Sequence, residues 1–190
     1  MTSPQRPIEM LEEREVYRNR FITVYDDEVQ FASGARGDYL RIVEAEGARG
    51  VVALPLFADL VGLVKTYRYA LGAFEWSLPR GFAHSVDTSL TVLTELNEEL
   101  GADPVDLQRL GELNPNSGLL ASTVDVFVAR YAAAEATPTD TDEIAEVRWI
   151  PVTQLFDEIR DGQISDAFTL SALCLAQVSD VLPTPPCKHP

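Results

Sequence analysis

Three glutamates carry the densest chemistry in the chain. Glu95, Glu98 and Glu99 stand three and four residues apart in the segment TSLTVLTELNEEL, residues 88–100. On a helix those spacings make the three carboxylates neighbours. Clustered carboxylate oxygens are what a hard divalent cation such as Mg2+ or Mn2+ takes as ligands. A solvated helix face is the ordinary alternative, but such faces usually mix signs, and no Lys or Arg occurs from Asp87 to Gln108. Each like-charged pair costs roughly 0.2–0.5 kcal/mol. The negative end of the helix dipole adds about 0.3–1 kcal/mol per carboxylate in the last turns. A bound cation would reverse these penalties; a solvated face would not.

The elements that must hold these residues follow from periodicity. Leu90, Leu93, Leu96 and Leu100 form a helical stripe that sets the glutamates on the opposite arc, with Asp87 as N-cap and Gly101 as the stop. Strands are expected at residues 14–18, 21–29 and 39–45, with a turn at 34–37. Residues 50–57 and 60–67 form two buried strands joined by Ala58 and Asp59. A short strand at 74–78 is broken by Pro79, Arg80 and Gly81. Further strands are expected near 107–113, 124–131 and 144–150, the run 132–142 is an exposed loop, and helices at 152–160 and 166–178 flank Gly162. Phe127 and Trp149 read as core residues. This order implies an α+β fold, a mixed sheet covered by helices in layers, with a small N-terminal antiparallel sheet. The expected division is residues 1–45, 46–180 and a disordered tail at 181–190. The first segment has few core residues of its own and so reads as a surface for a partner subunit.

The bulk numbers exclude several classes. Fifteen basic against thirty acidic residues give a net charge of -15, which repels a phosphate backbone and excludes long nucleic acid as a partner. No apolar run approaches the roughly eighteen residues of a membrane span. The first residues lack the apolar core of a signal peptide, and two cysteines, Cys174 and Cys187, do not make a disulfide framework. A reduced, cytoplasmic protein is the expectation.

The stretch from Gly81 to Ala102, GFAHSVDTSLTVLTELNEELGA, resembles the Nudix box: G, five residues, E, seven residues, then R-E-U-x-E-E-x-G-U, with U a bulky aliphatic residue. Its lead-in, Trp76-Ser-Leu-Pro-Arg-Gly-Phe82, is similar to the W-E-L-P-x-G-F of ADP-ribose pyrophosphatases. So are Tyr67-Arg68-Tyr69, residues 114–118 (NPNSG), Asp142-Glu143, residues 149–151 (WIP) and residues 162–166 (GQISD). The resemblance spans residues 21–176 and implies a Nudix-like α/β/α sandwich.

It further implies Mg2+ or Mn2+ held by Glu95 and Glu99, with Glu98 and the Gly81 carbonyl in support. Glu143 or Glu98 would serve in catalysis, and Arg68 and Arg80 would contact phosphates. The implied reaction hydrolyses a small nucleotide substrate, ADP-ribose first, to AMP and ribose 5-phosphate, in a homodimer. Departures from the pattern are Thr94 for the box arginine, a span from Gly81 to Glu95 one residue short, Asp87 in place of the first glutamate, Ser77 for the lead-in glutamate, and Ala102 for an aliphatic residue. They leave a second reading open, a catalytically inactive domain that binds a nucleotide sugar. Tyr17, Phe21 and Tyr25 could stack on a base, though core packing is the expectation for each. His84 reads as a loop residue.

Overall fold

The computed structural model describes residues 7–83 and 87–184; His84 and Cys187 lie outside them. Two compact units divide the chain. The first holds residues up to Ala48 together with Asn114–Ser122, and the second holds Arg49–Leu113 and the chain from Thr123 onward.

The first unit is an antiparallel sheet. Strand β3 (Ile22–Phe31) pairs along its length with β4 (Arg36–Glu44), and β1 (Ile8–Glu12) and β2 (Glu15–Arg18) follow one another along its other edge. The turn before β4 closes at residues 32–35, earlier than expected, because Gly34 adopts positive φ and the strand resumes at Arg36. Val29 is the buried apolar side chain among residues 7–48. Tyr17 and Phe21, expected to pack, are instead 54% and 61% exposed, and Tyr25 is covered by Arg41 stacked 4.2 Å from its ring. A single four-stranded sheet with charged residues on both faces does not enclose enough volume to bury them.

The second unit is a mixed sheet in the order β11-β6-β5-β10-β9, with β7 on β6 and β8 on β5. Its strands are β5 (Gly50–Phe57), β6 (Leu60–Arg68), β7 (Ala73–Ser77), β8 (Arg80–Phe82), β9 (Asp106–Leu113), β10 (Val124–Arg130) and β11 (Ile144–Pro151). Strands β5 and β10 run parallel and the other pairs antiparallel. Pro79 interrupts pairing as expected, but Arg80 and Gly81 do not end the strand run. They form β8, whose register places Gly81 opposite Val51 and Arg80 opposite Val52. Side chains alternate across a strand, so neighbours in sequence look to opposite faces.

Helix α1 (Thr88–Leu100) covers one face, its Val92, Leu96 and Leu100 buried on Val51, Ala53, Val64 and Phe127. Helices α2 (Val152–Arg160) and α3 (Ala167–Val178) cover the other, with Leu155, Ala172, Leu173 and Ala176 on Val52, Leu54, Leu63 and Val126. Trp149 is half-buried and meets Tyr131 edge-on at 5.4 Å. Leu182, past the last helix, is also buried in this core. None of the helices among the described residues is long and apolar enough to cross a membrane.

The leucine stripe differs from expectation in an informative way. The buried line of α1 is Thr88, Val92, Leu96 and Leu100, with Thr91, whereas Leu90 is 58% exposed. At about 100° per residue, Glu95 and Glu99 stand roughly 60° from Val92 and Leu96 respectively, at the flank of the buried line. Glu98 stands about 200° from Leu96 and faces solvent. The three glutamates therefore do not share one solvated arc.

An ion cluster around the buried Asp125 holds the first turn of α1 to the sheet. The Thr88 hydroxyl donates to Asp125 Oδ2 at 2.8 Å, and Arg49 and Arg109 each donate to Asp125 Oδ1 at 2.7 Å. Burial would push the Asp125 carboxyl up, but the hydrogen bonds from Arg49, Arg109 and Thr88 outweigh it and hold it at about 2. A carboxyl held below its unfolded value contributes stability that is full above the unfolded value and lost as pH falls through the folded one. Both arginines are about half in water, so the contribution is on the order of 1–2 kcal/mol after screening. Asp125→Asn is expected to lower Tm by several degrees at pH 7, the gap to wild type closing as pH falls from about 4 toward 2; thermal unfolding across that range checks it.

Candidate active site

Glu95 and Glu99 are drawn inward by the helix position just described. The Glu95 carboxylate lies flat against Gly81: a Cβ on that residue would come within 2.1 Å of Glu95 Oε1. Glu99 accepts the backbone N–H of Arg80, while its Oε2 is buried with no hydrogen-bond partner. Burial pushes Glu95 up to about 7, helped by the charges of Glu98, Glu143 and Asp140. Burial pushes Glu99 further, to about 8, with Glu95 and Glu143 adding to it and the Arg80 N–H and Arg68 opposing. Glu98 is exposed and acts on Glu95 through its charge.

The acidic loop before β11 is held on the end of α1. Thr137 N–H donates to the Leu100 carbonyl at 2.8 Å, and Thr139 N–H and Asp140 N–H both donate to the Glu98 carbonyl. These bonds satisfy carbonyls that a helix C-terminus otherwise leaves open. Gly101 makes the approach possible: its φ is 72°, and a Cβ there would stand 1.8 Å from the Thr137 carbonyl oxygen. Asp140 Oδ1 then accepts the N–H groups of Asp142 and Glu143. Loop and helix thus bring the Glu143 charge to the buried pair.

Two arginines of the sheet act on Glu99 through their charge. Arg68, at the end of β6, faces Glu75 Oε2 at 3.5 Å and donates to Ser77 Oγ at 3.4 Å. Arg80 looks to the α3 face, with Nη2 3.3 Å from Asp166 and its guanidinium 4.4 Å from the Phe168 ring centre. Burial, and then the charge of Arg68, hold Arg80 below its ordinary value against the pull of Asp166, Glu75 and Glu99. The Nε of each arginine is buried without a hydrogen-bond partner.

Sequence reasoning gave no role to Glu75, Asp140, Asp166 or Phe168, although Asp166 ends the 162–166 segment noted above. Glu75 was legible in principle, because it lies two residues before Ser77 and so on the same strand face. Asp166 and Phe168 reach Arg80 only through packing of α3 on the sheet, which no local pattern reports. Thr94, at the box arginine position, is exposed and donates to the Leu90 carbonyl at 3.1 Å.

Among the described residues no three His, Cys, Asp or Glu side chains are already gathered round one point. The residues present nevertheless fit a hard cation. An unpartnered buried carboxylate oxygen on Glu99, a second buried carboxylate on Glu95, and a backbone left bare at Gly81 form an all-oxygen cradle.

Residues 47–170 match the family described as the NUDIX domain, and residues 8–39 match the nucleoside diphosphate sugar hydrolase N-terminal domain. The chain belongs to the Nudix domain family. It is 26% identical over 152 residues to the CMP-5'-(N-acetyl-N-hydroxy-3-aminopropyl)phosphonate hydrolase of Streptomyces rubellomurinus, covering 80% of this chain and 73% of that protein. It is 32% identical over 91 residues to the GDP-mannose pyrophosphatase of Yersinia enterocolitica, covering 46% of this chain and 48% of that one. A solved ADP compounds hydrolase superposes with a TM-score of 0.80 at 22% identity, over 95% of this chain and all of the other, which establishes the shared α+β fold.

Gly81→Ala tests the cradle. The atom displaced is the tip of a flexible side chain, so the variant is expected to fold with Tm within a few degrees of wild type. Moving the Glu95 carboxylate by the order of 1 Å should lower metal-dependent turnover about a hundredfold. Gly101→Ala meets backbone instead and is expected to lower Tm as well as turnover, which parallel unfolding and activity measurements separate.

Proposed function

We propose that the chain hydrolyses the pyrophosphate linkage of a nucleoside diphosphate joined to a small group, with ADP-ribose the first choice, giving AMP and ribose 5-phosphate. The observation that carries this reading is the buried Glu95–Glu99 pair beside Gly81, with Arg68 and Arg80 near enough for their charges to act on Glu99. The relatives named above are support for the class, since their names join a nucleotide of varying base to a sugar or phosphonate.

Glu95 and Glu99 would hold Mg2+ or Mn2+, aided by Glu98 and the Gly81 carbonyl, and the ion would supply charge neutralisation at the pyrophosphate and a lowered pKa for the attacking water. Arg68 and Arg80 grip phosphoryl oxygens, for which a planar guanidinium is suited. Glu143, carried by the loop docked on α1, takes the proton of the water as its oxygen bonds to phosphorus and the bridging P–O bond breaks. One water is consumed, and its elements end on the two phosphate products. Glu98, exposed at the mouth, is the alternative base.

We also place this chain in a homodimer. Ile8, Met10, Val16, Tyr17, Phe21 and Leu40 leave the N-terminal sheet with apolar side chains in water and one buried apolar residue. Light scattering would read twice the 20.9 kDa of the chain, and a monomer would refute it.

A second reading, an inactive domain that binds a nucleotide sugar, rests on Thr94, which gives the glutamates no guanidinium. One experiment separates the two. Product release is measured from ADP-ribose, sugar nucleotides and nucleoside diphosphates with Mg2+ or Mn2+, for wild type and Glu99→Gln. Turnover that needs metal and falls at least a hundredfold in the variant is expected; binding without turnover by wild type would favour the second reading.

A further inference from the structure

Asp166 divides its two oxygens between two tasks. Oδ2 accepts the Thr169 N–H at 2.8 Å and the Thr169 hydroxyl at 2.7 Å, which caps α3. Oδ1 faces Arg80 Nη2 at 3.3 Å. The Thr169 hydroxyl in turn accepts the Leu78 N–H at 3.0 Å, so the strand connection two residues before Arg80 is fastened to the same cap. Phe168 stacks on the guanidinium from the helix side. Asp166 is buried, 5% exposed at its side chain, and Thr169 is wholly so. A helix cap alone needs none of this: serine, threonine or asparagine caps as well as aspartate. What only a carboxylate supplies is a fixed negative charge against a buried arginine that has a second arginine, Arg68, nearby; Asp166 is the carboxylate that acts on it most, ahead of Glu75 and Glu99.

We propose that Asp166 is a positioning residue that holds Arg80, through the α3 cap, so that the Arg80 side chain, 23% exposed, is set to meet a phosphoryl oxygen of the substrate. This rests on the hydrolase reading above, in which Arg80 contacts the pyrophosphate. Arg80 is fixed on three sides, by Asp166, by Phe168 and by its own strand, with its Nε buried. Preorganising a guanidinium in this way removes the ordering cost at binding.

Asp166→Asn isolates the charge. The two Thr169 donors require an acceptor at the capping position, so the amide oxygen must stay there and the amide N–H₂ must face Arg80, donor against donor. The cap survives and the grip on the arginine is lost. Tm is expected within about 2 °C of wild type while KM for ADP-ribose rises roughly tenfold with kcat within about twofold. In an Arg80→Ala background the same substitution should add nothing, because the group it acts through is gone. Asp166→Ala, which removes cap and charge together, should lower Tm as well.

An Asp166→Asn enzyme with wild-type KM overturns the proposal, and so does a KM effect that persists undiminished without Arg80. If wild type binds ADP-ribose but does not turn it over, the same comparison is made by Kd, so the hydrolase reading can fail while this inference stands. Wild type that neither turns over nor binds any of these compounds overturns both.

Discussion

Two carboxylates on the flank of α1, brought together under the end of a sheet, are the constraint to which the rest of the second unit answers. Burial, then the charges of neighbouring carboxylates, push both toward their neutral forms, Glu95 to about 7 and Glu99 to about 8. A helix serving stability alone would turn them to water, where Glu98 already stands. Holding them inward requires that α1 neither roll nor slide, and it is fastened at both ends. At its N-terminus Thr88 reaches the Asp125 cluster; at its C-terminus the 137–140 loop takes the free carbonyls over Gly101. The second fastening also delivers Glu143, so the element that steadies the helix brings the candidate base.

The opposite face of the sheet answers the same constraint with the opposite charge. Alternation along β8 sends Gly81 to the α1 side, where only a residue without a Cβ admits Glu95, and Arg80 to the α3 side, where Asp166 and Phe168 receive it. Three consecutive residues, Pro79, Arg80 and Gly81, therefore serve both helical layers. Arg68 comes from β6 and meets Glu75 and Ser77 on its own face. The serine at position 77 is buried and accepts from Arg68, so its departure from the lead-in pattern is absorbed by Glu75 one alternation earlier.

Most elements were legible because their signals are local. The bounds of α1, its Asp87 cap and its Gly101 stop follow from period and capping chemistry, and the runs 50–57 and 60–67 are apolar enough to be strands whatever surrounds them. The glutamates were legible as a cluster by spacing, and their membership in a family by the ordered motifs around them. What was not legible is which side of α1 meets the sheet: Leu90 lies outside the buried line and Glu99 beside it, a rotation set by Val92 and Thr88 finding their partners. The pairing of Arg80 with Asp166, 86 positions apart in the numbering, is a product of tertiary packing and has no local trace. Nor could periodicity tell that Tyr17, on the four-residue β2, and Phe21, in the turn before β3, stay in water, since nothing else in that sheet covers them.

The most direct measurement is Mn2+ binding to the whole chain, followed by electron paramagnetic resonance of the free ion, for wild type, Glu99→Gln and Glu98→Gln. If the buried pair forms the cation site, Glu99→Gln weakens binding by tenfold or more while the exposed Glu98→Gln changes it far less. Equal affinity in wild type and Glu99→Gln would contradict the account, because the buried carboxylate would then have no ion to hold.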